Sequence, residues 1–195
     1  MEPFELIILD GGMGTQLQAA GLPMGQAPEL WNLTEPEKVT AVHRRYAEAG
    51  SKVLYTNTFG VNRLKADRTG HTVRELVEGG VRCARAAAEG KDGVKVALDI
   101  GPLGQMLEPL GSLRFEEACD IFREIVVAGR DAGADLIVIE TMSDLYEVKA
   151  AVLAAKENCP LPVIATVALA DDGKLLTGAD VDCVAALLEI GRAHV

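Results

Sequence analysis

The chain has 195 residues, 49% of them hydrophobic, and a formal net charge of −10 at pH 7. That is enough apolar material for one domain with a substantial core, and the acidity argues against nucleic acid, whose phosphates are bound by releasing counterions onto a basic surface. The longest apolar runs, such as residues 136–139, are too short for a bilayer, and Met1-Glu2-Pro3 lacks the basic start of a signal peptide, so a cytoplasmic protein without membrane contact is expected.

In chain order, a first strand over residues 4–9 runs into Asp10-Gly11-Gly12-Met13-Gly14-Thr15, a glycine turn that opens a helix. Thr34 and Glu37 have capping-box spacing ahead of Val39, Val42 and Tyr46, and Gly50 stands where a left-handed helix end is wanted. A second strand over residues 53–58 reaches Asn57. Thr72 and Glu75 repeat the capping device before Val73, Leu76, Val77 and Ala84, and that helix ends near Gly90. The third strand, residues 94–98, leads to Asp99. Phe115, Ala118, Ile121, Phe122, Ile125 and Ala132 form the stripe of a helix stopped at Gly133. The fourth strand, residues 136–139, ends at Glu140, and Leu145, Val148 and Val152 mark the next helix. A fifth strand over residues 163–169 contains Thr166, and a last helix begins near Asp180 and breaks off after Leu188. Residues 1–188 are expected to form part of one domain. Residues 189–195, Glu-Ile-Gly-Arg-Ala-His-Val, read as a foreign tail of translated adapter sequence, which leaves His194 without chemical meaning.

Continuous rather than alternating apolarity marks strands buried on both faces of a parallel sheet. Repeated βα units admit an open doubly wound sheet or a (β/α)8 barrel. Asp10, Asn57, Asp99, Glu140 and Thr166 all fall at strand ends, and in a barrel those ends converge on one mouth, where barrel enzymes keep their chemistry. The expected fold class is therefore α/β, a partial (β/α)8 barrel with about five of the eight units.

The glycine turn could cradle an anion with its backbone N–H groups, but Asp10 would set a carboxylate beside any phosphate, and the spacing is not the dinucleotide G-x-G-x-x-G. A smaller ligand fits better. Glycine amides can take a carboxylate while Asp10 and Glu140 take an ammonium, a pairing that matches an α-amino acid. Asp10 could alternatively cap the helix that follows. Asp99 is a candidate pocket residue. Cys83, Cys119, Cys159 and Cys183 show no CxxC and no paired spacing, so free thiols and no metal knuckle are expected. His43 and His71 are expected on solvated faces, and Trp31 as a packing anchor.

Five ordered blocks carry a resemblance. Ile8-Leu9-Asp10-Gly11-Gly12-Met13-Gly14-Thr15, Pro28-Glu29-Leu30-Trp31-Asn32-Leu33 and Thr56-Asn57-Thr58-Phe59-Gly60-Val61-Asn62-Arg63-Leu64-Lys65 are followed by Ile100-Gly101-Pro102-Leu103-Gly104 and Ile139-Glu140-Thr141-Met142-Ser143-Asp144. Together they resemble the homocysteine S-methyltransferase family, most of all the homocysteine-binding domain of its cobalamin-dependent members. The resemblance implies a (β/α)8 barrel and methyl transfer to the sulfur of homocysteine, giving methionine. It implies that Asp10 and Glu140 hold the substrate amino group, that the amides of Gly11, Gly12 and Met13 lie near its carboxylate, that Asn57 lines the mouth, and that Thr141 positions Glu140 or a water. It also implies zinc, which keeps the substrate thiol as the reactive thiolate. The family's three zinc cysteines follow its sixth and eighth strands, beyond this chain, so no metal ligand is carried over. The chain alone is expected to bind no catalytic zinc and to transfer no methyl group. The methyl donor, whether methylcobalamin held by a further cobalamin domain or another methyl carrier, is left open. Two rivals remain: an amino-acid-binding module without chemistry, and a Schiff-base aldolase, which needs a pocket lysine at a strand end where this chain has none.

Overall fold

The computed structural model describes residues 6–190. Among them are the helices α1 (Met13–Ala19), α2 (Trp31–Thr34), α3 (Pro36–Glu48), α4 (Arg63–Ala66), α5 (Val73–Ala88), α6 (Phe115–Asp131), α7 (Leu145–Asn158) and α8 (Val181–Ile190). The strands are β1 (Val53–Tyr55), β2 (Lys95–Ile100), β3 (Leu136–Met142) and β4 (Val163–Val167), and each pairs in parallel with its sequence neighbour in the order β1-β2-β3-β4. Parallel neighbours joined through helices are the unit of the expected partial barrel, and no described helix is long and apolar enough to cross a membrane.

The sheet has two faces with different contents. Val96, Leu98, Ile137, Ile139 and Val163 point toward the helices and join the main core with Val77, Ile121, Phe122, Ile125 and Val148, and the buried Leu54 shares their face through its register with Val96. On the opposite face Val53, Ala97, Leu136 and Val138 form a smaller apolar floor. Side chains alternate along a strand, so continuing this second face toward the strand ends brings up Tyr55, Asp99 and Glu140 in turn. One rule of alternation thus sets apolar residues at the bottom of the inner face and acids at its top.

The first predicted strand is present only in part. Of residues 4–9, residues 4 and 5 lie outside the described part, and the rest contribute a single parallel bridge from Leu9 to Val53, with Lys52 N–H donating to Ile8 O at 2.7 Å. Among the described residues this segment pairs on one side only, and Leu6 and Ile7 are exposed. The expected foreign tail begins inside α8, where Glu189 and Ile190 are helical, and residues 191–195 lie outside the described residues.

Helix ends follow local chemistry. The Thr34–Glu37 capping box does not form: Pro36 at the first position of α3 sets that boundary, and Thr34 instead donates to Leu30 O at 3.2 Å as the last residue of α2. Gly50 does adopt the left-handed conformation, with φ 108°. At α5 the capping box is complete, since Thr72 Oγ1 accepts from Glu75 N–H at 3.2 Å and Glu75 Oε2 accepts from Thr72 N–H at 2.8 Å. Thr72→Ala is expected to cost about 1 kcal/mol and to lower the melting temperature by roughly 2–4 °C in a domain of this size, as read by thermal circular dichroism.

Candidate functional site

At the C-terminal edge of the sheet the inner face opens into a cavity of about 480 Å³ lined by Asp10 to Gly14, Pro28, Glu29, Tyr55, Thr56, Asn57, Phe59, Asp99, Glu140 and Thr141. All seven residues singled out from the sequence, Asp10, Gly11, Gly12, Met13, Asn57, Glu140 and Thr141, line this one space, and the weighed candidate Asp99 joins them. Glu29, Tyr55, Thr56 and Phe59 were missed. Tyr55 was within reach of the alternation rule, two residues before Asn57. Glu29 is brought in by the 3-10 turn Pro28–Leu30, for which the sequence offers only its proline.

Asp10 follows the bridge to β1. Its N–H donates to Val53 O at 3.1 Å, and its carboxylate Oδ2 accepts Tyr55 N–H at 2.9 Å. The glycine turn is held from behind, because Tyr46 of α3 donates its hydroxyl to Gly12 O at 3.0 Å, and a Cβ on Gly11 would stand 3.0 Å from that hydroxyl. Met13 opens α1, and the first N–H groups of a helix lack internal partners, so the turn presents donors at the cavity wall.

Glu140, on the inner face by alternation, stands at a backbone irregularity. The β3–β4 register shifts between Ile139 and Met142, and Thr141 has φ 57°, a left-handed conformation that a β-branched residue rarely adopts. Thr141 N–H donates to Thr166 Oγ1 at 3.2 Å across the bulge. Such strain persists only where the surroundings impose it, and here it coincides with the point at which a carboxylate leaves an apolar strand for the cavity.

The rest of the rim is pinned rather than reactive. Asn57 donates its amide to Pro28 O at 2.9 Å and to Asn32 Oδ1 at 2.9 Å, so its side chain ties loops together at the cavity wall. Thr56 and Thr58 share a 2.6 Å hydroxyl contact; Thr58 donates to Asp99 O at 2.7 Å and Asp99 N–H donates to Thr56 Oγ1 at 3.0 Å. Two buried glutamates clamp the neighbouring loops, Glu29 accepting Gly60 N–H and Glu147 accepting Leu103 N–H, each at 2.7 Å.

Four lining residues are acids and none is a Lys, Arg or His. Burial, opposed by the Tyr55 hydrogen bond and reinforced by Glu140, pushes the Asp10 carboxyl up to about 7. Burial raises Glu140, and it lifts Asp99 well above the carboxylate range with help from Glu140 and Asp10. Tyr55 is pushed up to about 12 by burial and these same acids. Oδ1 of Asp10 and Oδ1 of Asp99 are buried without a partner among the described residues. A site this short of positive charge favours a cation, and the unpartnered oxygens favour one that donates hydrogen bonds.

One expectation is corrected at this site. His43 does not lie on a solvated face; it is fully buried on α3 beside Asp10, because position 43 continues the inward stripe of Val39, Val42 and Tyr46. Trp31 is buried and packs with Val39, Val42 and Leu17.

The cavity does not fit zinc. Its donors are carboxylates, an amide and hydroxyls, whereas catalytic zinc takes imidazole or thiolate ligands in its set. Cys83 packs behind α3, Cys159 follows α7, Cys119 and Cys183 sit on α6 and α8, and none lines the cavity. Among the described residues no group of three or more His, Cys, Asp or Glu is placed to hold a metal ion.

Comparison with known proteins gives a consistent set of relatives. A family model described as homocysteine S-methyltransferase matches residues 7–193. Methionine synthase of Mycobacterium tuberculosis is 33% identical over 205 residues, covering 94% of this chain, and that of Mycobacterium leprae is 32% identical over 201 residues. The chain spans only 17% of the length of each of these curated relatives. Among solved structures, the metallated form of the homocysteine methyltransferase MmuM from Escherichia coli superposes with a TM-score of 0.85 at 25% identity, covering 94% of this chain and 70% of that one. Its oxidized form gives a TM-score of 0.82 at 26% identity.

Proposed function

The chain belongs to the homocysteine S-methyltransferase family, and from that premise we propose that it forms the part of a methyl-transfer enzyme that grips the amino-acid end of homocysteine. The observation that carries the reading is the cavity at the sheet edge, in which Asp10, Asp99 and Glu140 gather with no cation among the lining residues while the Gly11–Met13 turn offers backbone donors. In this reading Asp10 and Glu140 take the ammonium, the amides of Gly11, Gly12 and Met13 take the carboxylate, and Asn57 and Thr141 shape the wall. The substrate side chain then points out of the cavity with its sulfur free for attack on a methyl carrier.

Zinc is proposed for the reaction on the family's account alone. The described residues do not fit it, so the steps assigned to this chain are binding, orientation and one proton release. Empty, the site holds Asp10 about half protonated at neutrality; the arriving ammonium favours the carboxylate, and the proton leaves to solvent. A methylcobalamin or related donor, a cytoplasmic setting consistent with four free thiols, and assignment of residues 1–188 to one barrel domain complete the proposal.

Calorimetric titration of the chain tests it with two ligands. L-Homocysteine is expected to bind, and 4-mercaptobutyrate, which keeps the thiol and carboxylate but lacks the ammonium, is expected to fail. Equal affinity for both would overturn the reading. The pH dependence has a definite sign. Binding selects ionised Asp10, whose carboxyl sits near 7 in the empty site, so affinity is full above that pH and falls as pH drops through it, by about tenfold per unit. Proton release on binding, seen as a buffer-dependent heat, is expected to fade above pH 8.

A further inference from the structure

Behind the cavity, α3 turns His43 toward Asp10. The imidazole is 0% exposed and the Asp10 side chain 2% exposed, with Nδ1 of His43 standing 4.0 Å from Oδ2 of Asp10. Neither ring nitrogen has a hydrogen-bond partner among the described residues. Buried polar atoms are nearly always satisfied, so a partnerless ring nitrogen about 1 Å beyond hydrogen-bond reach of a buried carboxylate oxygen points to a contact that closes in another state of the site.

The two groups differ in which state suits them. Burial pulls His43 down to about 4, so its ring stays neutral across the working range, while Asp10 changes charge near 7. A neutral imidazole carries one N–H, which can support an anion without bringing a second charge into the core.

We propose that His43 is the positioning residue of Asp10: its neutral ring donates Nδ1–H to Oδ2 when Asp10 becomes a carboxylate, fixing that carboxylate for the ligand ammonium. Oδ2 has two lone pairs, one already taken by Tyr55 N–H at 2.9 Å, and His43 fills the other. Oδ1, the oxygen without a partner, is then the one aimed at the ligand. No proton reaches the ring; the one released by Asp10 goes to solvent. This assignment rests on the amino-acid-binding reading above.

The other groups that bear on the pair are accounted for. Glu140 acts on Asp10 from β3; Tyr55 on β1 and Asp99 on β2 feel Asp10 in turn, and each of these neighbours is anionic or neutral. From the helix side, α5 presents Cys83, whose thiol burial pushes upward, with Arg82 beside it. On α3 itself Arg45 is engaged with Gln16 at 3.1 Å, and Tyr46 donates to Gly12 O.

The test begins without ligand. In the full chain carrying carboxyl-labelled aspartate, NMR titration, with Asp10→Asn for assignment, reads the Asp10 midpoint directly. His43→Leu, which keeps bulk and removes the donor, is expected to raise that midpoint by about one unit and, because binding selects the carboxylate, to weaken L-homocysteine binding at pH 6 by about tenfold. His43→Asn, which restores an N–H donor, is expected to recover most of both. Nitrogen-15 shifts in the unmutated chain above pH 8 are expected to place the ring proton on Nδ1. A proton on Nε2, an unchanged midpoint in His43→Leu, or His43→Asn failing as fully as His43→Leu while still folded, would each overturn the positioning role. If the unmutated chain does not bind L-homocysteine, the amino-acid reading fails, and the ligand-free midpoints still decide the contact.

Discussion

Asp10→Asn is expected to weaken L-homocysteine binding by about a hundredfold at pH 8, the loss of a charge-assisted hydrogen bond worth roughly 2–3 kcal/mol. The substitution preserves shape, and the amide oxygen can still accept Tyr55 N–H, so the loss isolates charge from packing. It also carries a second, opposite sign. The Asp10 carboxyl titrates near 7 when folded against an ordinary 3.8, so in the unfolded chain it ionises first, and the empty fold loses stability as pH rises from about 4 to 7. Removing the charge is therefore expected to raise the melting temperature of the ligand-free chain at pH 8 while it abolishes tight binding. Glu140→Gln is expected to weaken binding comparably, and the double variant by less than the product of the two, because both acids face one ligand group. Calorimetry beside thermal melts checks the set. Binding within threefold of the unmutated chain by Asp10→Asn would remove the carboxylate from the proposed grip.

The second large effect is expected at Asn32, which touches no ligand. This side chain is fully buried, donates to Asn57 O at 2.7 Å and to Leu76 O at 3.1 Å, and accepts from the Asn57 amide at 2.9 Å. It thereby ties α2, the loop after β1 and α5 together, in a space that Gly80 keeps open: a Cβ there would come within 3.0 Å of Asn32 Nδ2. Asn32→Ala leaves a buried amide and two carbonyls without their partner, an expected cost of about 3 kcal/mol. For a domain of this size that corresponds to a melting temperature lower by roughly 6–12 °C. Denaturant unfolding should show the midpoint falling with an unchanged slope; a shift below 1 kcal/mol would mean that water replaces the lost bonds. Because the anchor holds Asn57 at the cavity wall, homocysteine affinity is expected to fall as well, by less than in Asp10→Asn.

Much of the cavity was legible because a barrel converts a one-dimensional signal into a place. An apolar run that stops at a polar residue marks a strand end, and parallel strands bring such ends to one edge; Asp10, Asn57, Asp99 and Glu140 followed from that rule. What escaped depends on interactions that a run of letters does not carry. His43 sits between Val42 and the charged pair Arg44 and Arg45, and those neighbours suggested solvent, although its spacing from Val39 and Tyr46 already placed it on the inward stripe. Thr34 matched a capping pattern that Pro36 pre-empted by fixing the first turn of α3. The left-handed Thr141 runs against the preference of its residue type, so nothing local announces the bulge that follows Glu140. The first strand promised more pairing than it makes, because apolarity reports burial and cannot report whether a second neighbour exists.

The serial strand order has a further consequence. Asp10 and Glu140 never meet through a shared ladder; β1 and β2 stand between their segments, each held by its own register. The span across which a ligand must reach is therefore the accumulated width of successive strand pairings, and a slip in either would widen the grip or turn one acid away. Affinity for a small zwitterion accordingly acts as a caliper, reporting from the rim whether every rung beneath it has been laid in order.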